Sequence, residues 1–173
     1  MAAFPTSLAR VDHVVTHWMA KHGVGILRVA LGITFFWFGF LKFFPGVSAE
    51  EDLAMRTMSA LTFGLLPENV SRVMIAAWEC AIGLGLLTHK ALRLALFLLF
   101  VQMLGALVPL VLFPHETFTR VPVVPTLQGQ FIIKNFVLIA AAIVVGATVR
   151  GGRMVADPSV ARAAEHEEER KLG

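Results

Sequence analysis

Six side chains with ionic or hydrogen-bonding chemistry interrupt stretches that are otherwise apolar: Arg28, Lys42, Glu79, Gln102, Lys134 and Asn135. Ionisable groups are costly in lipid, so they turn toward a protein interior or a cavity and pair there. At about 1.5 Å per residue, Glu79 and Gln102 fall near the middle of their runs. Lys134 falls roughly 7 Å and Lys42 roughly 12 Å toward one end, and Arg28 roughly 9 Å toward the other. A lone carboxylate at that depth would take up a proton through desolvation, whereas a neighbouring base keeps it charged. Lys134 is the expected first partner of Glu79 and Arg28 the second.

Two kinds of chemistry follow from such a cluster. One is a structural polar lock, in which interhelical ion pairs and hydrogen bonds fix which helices pack together. The other is a site: a cavity open to the outer leaflet, with Glu79 accepting a proton and Lys42 or Lys134 contacting a polar head group. Trp37 and Trp78 line the pocket in the second reading and are packing residues in the first. Lys42 and Lys134 are also placed to snorkel to the outer interface. Other chemistry is excluded or unsupported. Cys80 is the one cysteine, so a disulfide, a CxxC pair and a cysteine zinc site are all ruled out within one chain. His13 and His17 have the i, i+4 spacing of a metal pair but no third ligand, so no metal is expected and a solvated face is the reading. No phosphate-binding loop, dinucleotide fingerprint, zinc-protease or haem motif is present.

The elements that position these residues are four apolar runs, each near the roughly 20 residues needed to cross a bilayer. They span about residues 24–44, 70–88, 91–113 and 130–149. The composition agrees: 57% of the 173 residues are hydrophobic, 16% are charged, and Phe occurs 14 times. Mean hydropathy is +0.73. His89 and Lys90 alone join the second and third runs, which forces an antiparallel hairpin. Val47-Ser48-Ala49 resembles a signal-cleavage site, but the run before it is long and carries Arg28 and Lys42, so it is read as a retained span. Gly32, Gly39, Ala81, Gly83, Gly85, Ala140, Ala141, Ala142 and Gly146 favour close helix contact. Pro109 is expected to kink the third span.

Charge sets the orientation. Arg10, Lys21, Lys90, Arg93, Arg150, Arg153, Arg162, Arg170 and Lys171 fall on one side, nine in all, against Arg56, Arg72 and Arg120 on the other. The positive-inside rule then places both termini in the cytoplasm. The net charge of +3 is thus an orientation signal, and no nucleic-acid partner is expected. Val11, Val14, Val15, Trp18 and Met19 share one helical face, predicting a short interfacial helix before the first span. Ser48 and Glu51 have capping-box spacing, predicting a short outer helix to near Gly64. Asp157-Pro158 reads as the N-cap and first residue of a charged C-terminal helix.

Three segments resemble the DoxX-like family of membrane proteins. Leu27-Arg28-Val29-Ala30-Leu31-Gly32 with Phe40-Leu41-Lys42-Phe43 is similar to its first helix. Trp78-Glu79 through Gly83 is similar to its second, and Gly129-Gln130-Phe131-Ile132-Ile133-Lys134-Asn135 to the start of its fourth. The resemblance runs from about residue 23 to 150. Some members are subunits of a thiosulfate:quinone oxidoreductase. Others accompany a superoxide dismutase and a sulfurtransferase in oxidative stress, or act in reactive-chlorine resistance. What the resemblance implies is a redox-associated protein of the bacterial inner membrane that contacts quinone. Since the chain has no redox-active side-chain pair, electrons would come from a bound group or a partner subunit.

The expected fold is all-α: an integral membrane four-helix bundle with both termini cytoplasmic. Residues 1–23 form a cytoplasmic segment with the amphipathic helix, residues 24–149 the transmembrane domain, and residues 150–173 a charged tail. The expected function is a DoxX-like subunit supporting a redox or oxidative-stress complex, with quinone as the ligand and, if enzymatic, a place in a quinone-linked oxidoreductase. The alternatives are a small proton-coupled transporter using Glu79 and a purely structural accessory subunit. Expected partners are the lipid bilayer and other membrane or redox subunits, with homo-oligomerisation left open.

Overall fold

The computed structural model describes residues 6–47 and 51–157, together with residues 159, 160, 162, 163, 167 and 170; side chains are described from Val11 onward. Its elements are helices α1 (Thr6–Leu41), α2 (Glu51–Leu61), α3 (Glu68–Thr88), α4 (Leu92–Leu107), α5 (Pro109–Leu112) and α6 (Pro114–Thr117), strands β1 (Phe118–Arg120) and β2 (Val124–Pro125), and helix α7 (Leu127–Ala147). Four stretches are long and apolar enough to cross a membrane: Val11–Leu41, Glu68–Thr88, Leu92–Leu112 and Leu127–Ala147. Large apolar side chains stand on their outer surfaces, including Phe38 (57% exposed), Phe97 (63%), Leu104 (68%) and Val137 (69%). Water would penalise such a surface, whereas lipid is its natural solvent and the helices satisfy their own backbone groups there. The protein is an integral membrane protein.

The four long helices form a closed ring in the order α1, α3, α4 (continued by α5), α7, with α7 returning to α1 and the broadest contact between α1 and α3. Leu31 and Phe35 from α1, Ile82 and Leu86 from α3, Leu96 and Leu99 from α4, and Ala142 and Val145 from α7 fill the centre. Small residues let α1 and α3 touch backbone to backbone. A Cβ on Gly83 would lie 2.5 Å from the Phe36 amide nitrogen, and one on Gly39 would lie 2.7 Å from the Glu79 Cβ. Chain direction puts the start of α1 and the end of α7 at one end of the bundle and α2, α5, α6 and the strands at the far end.

Three local features differ from, or add to, the expectations. The separate interfacial helix expected over Val11–Met19 is continuous with the first span, since α1 is a single helix of 36 residues. At about 1.5 Å per residue it is nearly twice as long as the roughly 30 Å hydrocarbon layer. The third span breaks where proline removes a backbone donor: α4 ends at Leu107, Val108 turns, and α5 starts at Pro109. Hydropathy alone leaves residues 114–129 unassigned, and they form α6 and an antiparallel β1–β2 hairpin with a cis Val121–Pro122 bond.

The ends of the helices follow local chemistry. His89 takes the left-handed backbone (φ 62°) that closes α3 and starts the three-residue turn, His89-Lys90-Ala91, to α4. The Thr126 hydroxyl accepts the Gly129 N–H at 3.2 Å and caps α7, as short hydroxyl side chains do at an N-cap. A Cβ at Gly129 would collide with the Thr117 carbonyl. The proposed N-cap Ser48 and the proposed N1 residue Pro158 lie outside the described residues. Glu51 is described, and its carboxylate accepts the Gly46 N–H at 2.7 Å and pairs with Arg72 at 3.1 Å. Asp157 accepts both the Ser159 N–H (2.8 Å) and its hydroxyl (2.7 Å), bonds that hold its carboxyl below the ordinary range.

Candidate functional site

Glu79 lies midway along α3 on the face turned inward, and its residue is 7% exposed. One carboxylate oxygen accepts from the Lys42 ammonium at 2.6 Å, and the other accepts from the Gln102 amide at 3.0 Å. Lys42 follows the last residue of α1, and Gln102 lies in α4, so one side chain ties three elements together. Ionic hydrogen bonds are stronger than neutral ones, and here both carboxylate oxygens are engaged. The pair is neutral as a unit. It still presents donors, because an ammonium carries three protons and a primary amide two, and the carboxylate accepts one from each.

These groups line a cavity of about 290 Å³. Ile75 and Trp78 of α3, Val101 and Gly105 of α4, Pro109 of α5, and Gln128, Ile132 and Asn135 of α7 surround it. The Trp78 indole N–H donates to the Leu98 carbonyl at 3.2 Å, which fixes the ring against α4. The walls are mostly apolar and carry a few polar groups, the usual build of a small-molecule site. Helix α2 covers the far end: Leu53, Thr57 and Leu61, spaced i, i+4, i+8 on one face, all line the cavity. The two flanks of that face are ionic. Arg56 makes two 2.7 Å bonds to Glu116 and stacks 4.8 Å over the Phe113 ring, and Glu51 binds Arg72 of α3. Leu61, Met74 and Val101 line the cavity and are also 40% or more exposed, so they form its rim toward the lipid.

The six polar residues read from the sequence therefore separate into three places. Lys42, Glu79 and Gln102 meet, and Asn135 lines the same cavity. Lys134 does not reach Glu79: it is exposed, with its ammonium 4.9 Å over the Phe131 ring on the outside of α7. Arg28 is at the other end of the bundle, donating to the Leu86 and Leu87 carbonyls, which lie in the last turn of α3 where helical carbonyls lack intrahelical partners. The expected partners of Glu79 are thus replaced by Lys42. Counting depth along each run misplaced it, because α1 is shifted along α3 so that its end sits beside the middle of that helix, Gly39 against Glu79. Lys42 turns into the bundle instead of snorkelling outward. Trp78 lines the cavity, whereas Trp37 is 63% exposed on the outer surface. Sequence reasoning missed Gln128, although Gln128, Ile132 and Asn135 repeat at the i, i+4, i+7 spacing of one helical face.

Among the described residues no group of three or more His, Cys, Asp or Glu side chains is placed to hold a metal. A family model described as DoxX matches residues 23–113, from Gly23 within α1 through α2, α3 and α4 to the end of the third span. No curated protein and no solved structure matches the chain.

Proposed function

The chain belongs to the DoxX family, and from that membership together with the cavity around Glu79 we propose that it binds a quinone-type molecule and serves as the membrane subunit of a redox or oxidative-stress complex. The observation that carries the reading is the placing of a fixed ion pair at one side of a cavity with apolar walls and a rim toward lipid. A quinone ring needs donors for its carbonyl oxygens and an apolar slot for the rest. Lys42 and Gln102 supply donors, with Gln128 and Asn135 across the cavity, and Ile75, Val101 and Ile132 supply the slot. Binding pockets commonly run from about 300 to 1,000 Å³, so about 290 Å³ fits one ring and directs an isoprenoid tail out past Leu61, Met74 and Val101.

The residues fit this ligand in charge as well. Because Lys42 and Glu79 neutralise each other, the cavity favours a neutral polar ring over a second ion. Glu79 orients the ammonium, Lys42 and Gln102 hold a carbonyl oxygen, and Lys42 is placed to donate a proton to an oxygen that gains charge. The quinone accepts electrons when bound, and a partner subunit is the proposed source. We place the protein in a bacterial cytoplasmic membrane with both termini inside, on the nine-to-three bias of Lys and Arg.

A second reading has its own support: with both Glu79 oxygens engaged, the trio is also suited to act solely as a lock between α1, α3 and α4. Mass spectrometry of quinones extracted from gently purified protein separates the two. Stoichiometric quinone that is lost in Glu79→Ala and Lys42→Ala but kept in Lys134→Ala supports binding at this cavity. No quinone in any sample leaves the lock, and loss in Lys134→Ala as well argues for adsorption to the outer surface.

A further inference from the structure

The opposite end of the bundle holds a second concavity, about 1,060 Å³, that the quinone reading does not use. Basic and titratable side chains converge on it from three segments. His13, His17, Lys21 and Arg28 come from α1, His89 from the α3–α4 turn, and Arg153 from the segment after α7. Asp157 is the single acid among its lining residues, and its carboxylate is engaged by Ser159. Arg28 is held in place by its bonds to the α3 carbonyls, so a guanidinium is fixed in the wall at the level where the apolar part of α1 begins.

Depth and lining argue for an amphipathic ligand. Val24 and Gly25 line the groove beside Arg28, which places its inner part at the first apolar turn of the span. Met154, Val155 and Val160 form another side, each at least half exposed. A small inorganic ion has no use for that apolar wall. A phosphodiester beside a glycerol backbone and the start of two acyl chains matches both the charges and the apolar wall. Clustered Lys and Arg at the membrane surface attract anionic lipids with roughly a fivefold gain in binding per residue.

We propose that this groove binds the phosphate-bearing headgroup of an anionic lipid from the leaflet on the side of the chain termini. The claim is independent of the ligand in the Glu79 cavity.

The test is native mass spectrometry of the delipidated full chain in detergent, titrated with phosphatidylglycerol, phosphatidylcholine or glycerol phosphate. Lys21→Gln combined with Arg153→Gln removes two exposed charges without touching the core. Arg150→Gln, outside the groove, controls for bulk charge. The expected result is one tightly held phosphatidylglycerol per chain and weaker phosphatidylcholine. Affinity for phosphatidylglycerol falls roughly thirtyfold in the double variant and stays unchanged in Arg150→Gln. Glycerol phosphate binding as tightly as the lipid assigns the groove to a soluble phosphate compound and overturns the lipid claim. Equal affinity for the two lipids, equal affinity in wild type and the double variant, or an equal loss in Arg150→Gln, overturns the site.

Discussion

The Lys42 ammonium lies 2.6 Å from one carboxylate oxygen of Glu79, across the contact between the end of α1 and the middle of α3. The side chains are 13% and 9% exposed, so neither charge has much water to fall back on. Removing one partner strands the other, which costs on the order of 3 kcal/mol, whereas replacing both by apolar residues is often near neutral. Glu79→Leu should therefore destabilise the protein in detergent, and Lys42→Met added to it should restore most of the loss. Lys134→Met added to Glu79→Leu should restore nothing, because Lys134 stacks on Phe131 outside the bundle. Thermal unfolding of the single and double variants measures this, and strictly additive losses for Lys42 and Glu79 would refute the coupling.

The closeness of α1 and α3 makes that ion pair possible, and it rests on Gly83. A methyl group there would sit 2.5 Å from the Phe36 nitrogen and 2.7 Å from its Cα. Backbone cannot move aside as a flexible side chain can, so Gly83→Ala must push the helices apart. Overpacking of this kind costs about 1–3 kcal/mol. Gly105→Ala is the control, since a Cβ there meets nothing within 4 Å. Thermal unfolding should show a loss for Gly83→Ala and little change for Gly105→Ala. Equal midpoints for the two variants would contradict the close contact.

The spans and their order are legible because a bilayer demands long apolar runs, and the links around His89 and Pro109 carry strong local signals. The meeting of particular side chains is harder to read, because it depends on how each helix is rotated and how far it slides along its neighbour. Asn135 and Lys134 are adjacent in sequence, yet successive residues point about 100° apart on a helix. One lines the cavity and the other is outside. Lys42 was assigned the wrong depth because the centre of an apolar run does not fix the level at which its helix meets a neighbour: Gly39, three residues before Lys42, lies against Glu79 in the middle of α3. The β1–β2 hairpin was illegible because five strand residues with two prolines nearby give almost no period.

Helix α2 closes the far side of the cavity through the Arg56–Glu116 bridge. The bond to Glu116 pushes Arg56 further above its already high range. A raised basic pKa contributes stability that is present below the unfolded value and lost only as pH rises through the folded one, beyond any working range for arginine. The latch should therefore be insensitive to mild alkali but weakened by salt, since both partners are partly exposed and such pairs are screened. Arg56→Gln should speed amide exchange in α2 by up to roughly fivefold, the scale of an exposed ion pair, with α7 unchanged. Hydrogen exchange at low and high salt measures both effects. Identical α2 exchange in the variant would show that the Arg56–Glu116 bridge does not hold the helix down.

Trp78 offers an optical test of the cavity itself. The chain has three tryptophans, and they occupy different surroundings. Trp18 is 53% exposed and Trp37 is 63% exposed, whereas Trp78 is partly buried, pinned by its bond to the Leu98 carbonyl, and lines the cavity next to Glu79. A quinone seated against Lys42 and Gln102 must approach the Trp78 ring and quench its emission at sub-stoichiometric to stoichiometric addition. Trp37→Phe should preserve that saturable phase, and Trp78→Phe should remove most of it. Phe keeps an aromatic ring at the wall but lacks the fused pyrrole ring and its N–H, so the variant removes the reporter at a modest loss of wall volume. Collisional quenching from the lipid would instead act on Trp37 and rise without saturation. A saturable phase that survives in Trp78→Phe and disappears in Trp37→Phe would move the binding site from the cavity to the outer face of α1.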